Sequence, residues 1–238
     1  YIDGTDEFKA AITGDDIQIE AKGKDAYPMQ VRMLNIQMLN GTLLTRDKSN
    51  SIYRRLLIVP FTHTFTGCER PYIKHDYMDR TDVKEYILKR ALESPVITEF
   101  ITTKENDEAL YKTKLENNTV IEFLDEFLPQ FKWDALPPKF LYELYKSWMS
   151  KDNANGKPVK KSVFIEYATD FFNDTNEWNI RLAQGDKITV GQRMDADEPL
   201  ITEYNLTDYM DPSYKGSDAR IKRAFTRPKT IRGFVRRK

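Results

Sequence analysis

The alternation of apolar and polar positions divides the chain into segments of different period. TDEFKAAI, with Thr5 or Asp6 as a cap for free amides, predicts a short helix through about Ile12 that Gly14 ends. From Ile17 to Ala21 apolar and polar residues alternate. Gly23, between Lys22 and Lys24, then marks the tip of a hairpin whose return strand holds Tyr27 and Met29. Two apolar segments follow, Val31 to Leu39 and Leu56 to Phe61. Each has strand length, and the continuous LLIVPF is of the kind buried on both faces of a parallel sheet, a pattern that a short buried helix shares. Between them lie Asn40, Gly41, the DKSNS run from Asp47 to Ser51, and the pair Arg54 and Arg55. Polar groups at the ends of buried strands are where open α/β sheets place ligand chemistry. A plain Asn-Gly turn and a solvated arginine pair are the competing readings.

Residues 62–80, rich in turn formers and scattered aromatics, read as an irregular crossover. Val83, Ile87, Leu88 and Ala91 make one stripe of a helix from Thr81 that Pro95 stops, and a second helix begins there with Val96, Ile97, Phe100 and Ile101. A long amphipathic pattern runs from about Asp107 to Leu128. A new unit begins near Phe131. Pro137 stands at or near a helix start, and Leu141, Leu144, Tyr145 and Trp148 follow at helical spacing. After the polar loop KDNANGKPVKK, Ser162 is a cap for a second helix bearing Phe164, Ile165, Ala168 and Phe171. The strand-like runs WNIRLA and KITVGQRM complete a winged-helix pattern. Residues 200–214 are mixed and loop-rich, and from Thr230 apolar and basic residues alternate as in a strand with one positive face.

Composition changes this picture in one respect. The 37 basic and 37 acidic residues cancel, which by itself argues against a polyanionic partner, but the two ends differ. Acids dominate from Asp3 to Asp25. From Lys215 onward, Arg220, Lys222, Arg223, Arg227, Lys229, Arg232, Arg236, Arg237 and Lys238 face only Asp218. A local field of this kind attracts a polyanion whatever the total charge is. The lysine-tipped hairpin at Lys22 and Lys24 offers the same chemistry, since point charges bind phosphate without reading bases. The single cysteine, Cys68, excludes a disulfide framework, and with His63 and His75 it matches no common zinc spacing. No apolar run approaches bilayer length and no basic-then-apolar leader is present, so a cytoplasmic protein without a membrane partner is expected.

The succession FKAAITGDDIQIEAKGKDAY, then LNIQMLNGTLLTRDKSNSIYRRLLIVPF, resembles the C-terminal half of the ATPase core of phage and plasmid primase-helicases, the D5-like branch of superfamily 3 helicases within the AAA+ class. LPPKFLYELYKSWMSKDNANGKPVKKSVF is in turn similar to the winged helix that follows their motor domain. The resemblance implies an α/β fold: a partial AAA+ core, the C-terminal half of the P-loop ATPase fold, over 1–80, a helical extension over 81–129, and a winged-helix-like DNA-binding domain over 130–238. It places Lys9, Thr13, Gly14 and Asp15 in the segment leading to a DNA-contacting hairpin, Lys22 and Lys24 in that hairpin, and Asn40 at the nucleotide sensor. Arg54 and Arg55 fall at the arginine finger, and Lys157, Lys160 and Lys161 at the start of the second winged helix. Leu43 and Leu44 stand where the family usually has a proline, and Gln37, Met38 and Leu39 replace a smaller run before the sensor.

The activity so implied is ATP hydrolysis coupled to DNA unwinding, in a homo-oligomeric ring, hexameric by analogy, of a phage or mobile element in a bacterial cytoplasm. No G-x-x-x-x-G-K-[ST] occurs, and in the family that loop and the acidic metal-holding strand lie upstream of this segment. A chain opening at Tyr1 is therefore expected to be a fragment, with ATP and Mg²⁺ bound by the complete parent and not by this stretch alone. The competing reading is a non-enzymatic DNA-binding or initiator module that works through its basic C-terminus. A structural adaptor, the third reading, would have no affinity for nucleic acid.

Overall fold

A computed structural model describes residues 5–20, 22–31, 34–96, 98–151, 156–210, 213 and 229–237. The architecture is mixed α/β, with short antiparallel sheets, and the chain divides into two units, Tyr1–Arg55 with Thr113–Lys238 and Leu56–Lys112. In the first unit, helix α1 (Thr5–Thr13) leads into the expected hairpin of β1 (Asp16–Ile19) and β2 (Tyr27–Gln30), with Ile17 opposite Met29 and Ile19 opposite Tyr27. Gly23 turns its tip with φ +78°, a conformation costly for any residue with a Cβ.

The described residues of Val31–Leu39, 31 and 34–39, do not form the expected strand. Residues 34–39 are irregular, with Ile36 72% and Met38 93% exposed. The run expected to be a strand from Leu56 to Phe61 is irregular too, and Phe61 is 94% exposed. An apolar run becomes a buried strand only when neighbours pair its backbone and cover its faces, and no strand among the described residues lies beside either segment. Helix α2 (Asn50–Tyr53) occupies the linker between them and buries Ile52 and Tyr53.

In the second unit the crossover expected to be irregular carries helix α3 (Tyr72–His75) and a 3₁₀ turn over Tyr77–Asp79. Helix α4 (Thr81–Glu93) forms where its stripe placed it, although it buries no residue. No helix begins at Pro95; Ser94 is already extended (ψ 137°), as a residue before proline prefers. The next helix, α5 (Lys104–Asn117), opens on a reciprocal pair in which Asn106 Oδ1 accepts from the Thr103 amide (2.8 Å) and Thr103 Oγ1 accepts from the Asn106 amide (3.4 Å).

The long amphipathic helix expected from Asp107 to Leu128 is two helices. Asn118 leaves helical geometry (φ −132°, ψ 101°), and its Oδ1 accepts from the Val120 amide at 3.0 Å, capping α6 (Thr119–Phe127). A short polar side chain that bonds its own backbone competes with the helix ladder, and here it wins. Its neighbour Asn117 closes the end of α5 on the N-terminal segment: Oδ1 accepts from the Thr45 amide (3.0 Å) and Nδ2 donates to the Leu43 carbonyl (2.7 Å).

From α6 onward the chain builds the principal core. β3 (Ala135–Leu136), α7 (Pro138–Lys151), α8 (Lys161–Thr175), β4 (Trp178–Arg181) and β7 (Gly233–Arg236) follow, and the three strands pair antiparallel in the order β3-β7-β4. The register sets Leu136 and Ile180 on either side of Phe234, which stacks on Phe172 with ring centres 4.2 Å apart. Helix α8 starts at Lys161, so Lys160, not Ser162, is the cap residue, and no side-chain hydrogen bond closes it. The strand expected over KITVGQRM shrinks to β5 (Ile188–Thr189), which pairs antiparallel with β6 (Thr230–Ile231) in a two-stranded sheet of its own, following β4 and preceding β7 along the chain.

Between β5 and β6 the chain makes an excursion that includes α9 (Leu200–Glu203) and returns apolar side chains to the core. Tyr204 packs against Phe127 and Tyr209 against Phe140, at 5.4 and 5.3 Å between ring centres. Glu198 ties this excursion down: it is 1% exposed and accepts from the Lys132 amide at 2.9 Å. Burial pushes its carboxyl up, against the opposing pull of the Lys132, Leu200 and Trp133 amides. A carboxyl raised in the folded state keeps a proton that the unfolded chain has released. Its contribution is therefore full below the ordinary carboxylate range and is lost as pH rises through the folded value. Chemical denaturation across that window is expected to show stability falling with pH, and Glu198→Gln to flatten the fall; an unchanged slope in the variant would rule this carboxyl out as the source.

Candidate nucleic-acid interface

The expected nucleotide-facing residues fall in one stretch of the chain. Asn40 sits exposed in a bend before Gly41. Arg54 ends α2 and is exposed, whereas Arg55 is half-buried and turns back so that Nη1 donates to the Ser51 carbonyl at 2.6 Å. Arg55 is thus engaged by its own chain, while Arg54 and Asn40 are exposed. Lys9 and Asp47 form an ion pair that joins α1 to the DKSNS loop. Asp47 raises the Lys9 ammonium above its usual value; burial works against Asp47's charge, and the bonds from Lys9 and Ser49 outweigh it and hold the carboxyl low. His63, Cys68 and His75 do not make a metal site: no group of three or more His, Cys, Asp or Glu is placed to hold an ion among the described residues.

The expected phosphate-binding residues divide by location. Lys22 and Lys24 are exposed at the β1–β2 tip, and Lys157, Lys160 and Lys161 are exposed before and at the first turn of α8. Arg220, Lys222, Arg223 and Arg227 lie outside the described residues. Arg232, Arg236 and Arg237 belong to the hairpin ribbon made by β4, β5, β6 and β7. Here the fold adds Arg181 and Lys187 to the basic C-terminal residues. Residues 178–189 and 229–237 together carry Arg181, Lys187, Lys229, Arg232, Arg236 and Arg237 against Asp186 alone.

An open groove of about 400 Å³ runs across this ribbon, lined by Asn179, Arg181, Ile188, Thr189, Arg193, Val235 and Arg236. Asn179 and Arg181 reach it because alternate residues of β4 face opposite ways, Trp178 inward and its neighbour outward. Arg236 is held at 3.3 Å from Asp134 and lies over the Trp178 ring at 5.0 Å. Arg181 has only a long contact to Asp186 (4.0 Å), and Arg193 a long bond to the Thr189 carbonyl (3.5 Å). The Nε atoms of Arg193 and Arg236 are buried without a hydrogen-bond partner among the described residues. Guanidinium groups lining an open, positively charged groove suit an anion with several oxygens. The alternation in WNIRLA was the available signal for Arg181; Arg193 had none, because it enters from beyond a turn.

The opposite charge covers α8. Glu166, Asp170 and Asp174, four residues apart, form one acidic stripe. Burial, then Asp174 and Glu166, push the Asp170 carboxyl up, with Lys114 opposing. Lys114 itself sits 3.8 Å from Asp174 and over the Tyr53 ring at 5.8 Å. Tyr53 is 1% exposed, and burial foremost, with Tyr167 of α8 and Asp47 adding to it, pushes its phenol up to about 12.

Residues 115–187 match the family model described as Poxvirus D5 protein-like. The match begins inside α5 and ends just before β5, so it takes in α6 to β4 and covers less than half of the chain. No curated protein matches the sequence. No helix among the described residues is long and apolar enough to cross a membrane.

Proposed function

We propose that this chain is the DNA-engaging C-terminal part of a D5-like replicative helicase of a phage or mobile element, and that α6 to β7 is its winged-helix domain. The observation that carries this reading is the succession α6-β3-α7-α8-β4-β7 with strand order β3-β7-β4, of which α6 to β4 lie in the stretch that is similar to the D5 family model. Three helices backed by a three-stranded sheet, with a basic ribbon at the sheet's end, form a compact body that presents positive charge to a duplex. The complete protein would bind ATP and Mg²⁺ and work as a homo-oligomeric ring. In it Asn40 would face its own subunit's nucleotide and Arg54 or Arg55 the neighbour's, with Arg54 the freer of the two to reach across.

The test is equilibrium binding of a random-sequence duplex and of an oligothymidine by the full chain across a salt series. Log affinity is expected to fall linearly with log salt, by about 0.9 per neutralised phosphate on duplex and about 0.7 on single strands. A chain with no affinity for either at low salt would be the adaptor, and the reading would be lost.

A further inference from the structure

We propose that the β4–β7 ribbon, with Arg181 and Arg193 as its principal ligands, and not the outer face of α8, is the surface that grips the DNA backbone. The inference rests on the winged-helix reading and fixes which part of that domain makes the contact. Two independent observations carry it.

The first is charge. Helix α8 has Lys161 against Glu166, Asp170 and Asp174, and its one basic end, at Lys157, Lys160 and Lys161, is confined to the residues at and before its first turn. A helix laid along a groove would set the acidic stripe against phosphate. The ribbon carries six bases against one acid and adds Arg193 from the excursion. Like-charge juxtaposition disfavours the first arrangement and the second releases counterions.

The second is access. The side of α8 that bears Tyr167, Asp170 and Asp174 faces residues 47–53 and Lys114: Asp47 acts on both the Tyr53 and the Tyr167 phenols, Tyr167 acts on that of Tyr53, and Lys114 sits close to both Asp174 and the Tyr53 ring. Tyr167 and Asp170 are accordingly only partly exposed. Arg181 is exposed on the open groove, and half-buried Arg193 lines it as well, its Nη1 on only a long bond to the Thr189 carbonyl (3.5 Å). Because guanidinium groups meeting phosphate read no base edge, the contact is indifferent to sequence.

The experiment compares the full chain with two variants, Arg181→Gln with Arg193→Gln, and Lys160→Gln with Lys161→Gln, for binding of random-sequence duplexes across salt. The arginine pair is expected to weaken binding about 10-fold or more at low salt and to reduce the salt slope by about two. The lysine pair is expected to change affinity by less than about 3-fold. Binding that survives the arginine variant and collapses in the lysine variant overturns the ribbon as the contact while leaving the DNA-binding function intact; absence of binding by the unaltered chain removes both. If the arginine variant does not fold, protection decides on the unaltered chain: DNA is expected to shield Arg181 and Arg193 from phenylglyoxal, and modification at an undiminished rate overturns the assignment.

Discussion

Phe123→Ala is expected to lower the stability of the first unit by about 3–5 kcal/mol, the range for emptying a large aromatic site in a packed core. Phe123 is fully buried on α6 and touches four rings: Phe127 at 4.8 Å, Tyr145 at 5.6 Å, Trp148 at 5.7 Å and Phe164 at 6.2 Å between centres. Those rings come from α6, α7 and α8, so none of the three helices can close the gap without leaving another. The loss therefore includes a residual cavity as well as lost transfer energy and edge-to-face contact. Denaturant unfolding followed by tryptophan fluorescence measures it, since Trp148 reports on the same cluster. A loss below about 1 kcal/mol would mean that α6 does not share the core of α7 and α8, and the six-element domain proposed above would fail with it.

The helices of that core were legible in the sequence because their information is local. Leu141, Leu144, Tyr145 and Trp148, and Phe164, Ala168 and Phe171, repeat at helical spacing, and all seven are buried. The β1–β2 hairpin was legible for the same reason: Gly23 and the alternation on either side specify turn and register together. Breaks were harder to see. The periodicity of residues 107–128 continues through Asn118, and only a side-chain bond to the Val120 amide interrupts it. The segments at Val31–Leu39 and Leu56–Phe61 have the composition of buried strands, but burial is a property of neighbours, and no strand beside them appears among the described residues. The candidate interface was half legible. Its basic C-terminal strand was evident as charge, whereas β4 lies some fifty residues earlier and joins it only through long-range pairing, Arg181 opposite Gly233. Arg193 follows a turn at Gly191 and reaches the groove because its carbonyl accepts from the Asp134 amide at 2.8 Å, a contact no periodicity announces.

Gly233→Ala is expected to cost about 1–3 kcal/mol and to weaken DNA binding without removing a charge. Gly233 begins β7 beside the end of β3, and a Cβ there would overlap the Leu136 carbonyl oxygen and lie 3.0 Å from its carbon and 3.2 Å from Pro137 Cα. All three obstacles are backbone, so no rotamer change relieves them and the strands must part. The β3–β7 ladder has only two residue pairs, Ala135 with Val235 and Leu136 with Phe234, so little of it survives such a shift. Beyond it, the Arg236 amide donates to the Asp134 carbonyl at 2.8 Å, and the Arg236 side chain pairs with the Asp134 carboxylate. Displacing β7 therefore moves Arg236 and opens the groove that Arg181 and Arg193 line. Two measurements follow on one variant: a lower denaturation midpoint, and reduced duplex affinity at low salt under conditions where the variant is folded. Full stability would show that β7 does not approach β3 so closely. A folded, destabilised variant with undiminished affinity would show that phosphate binding does not depend on how this ribbon is seated.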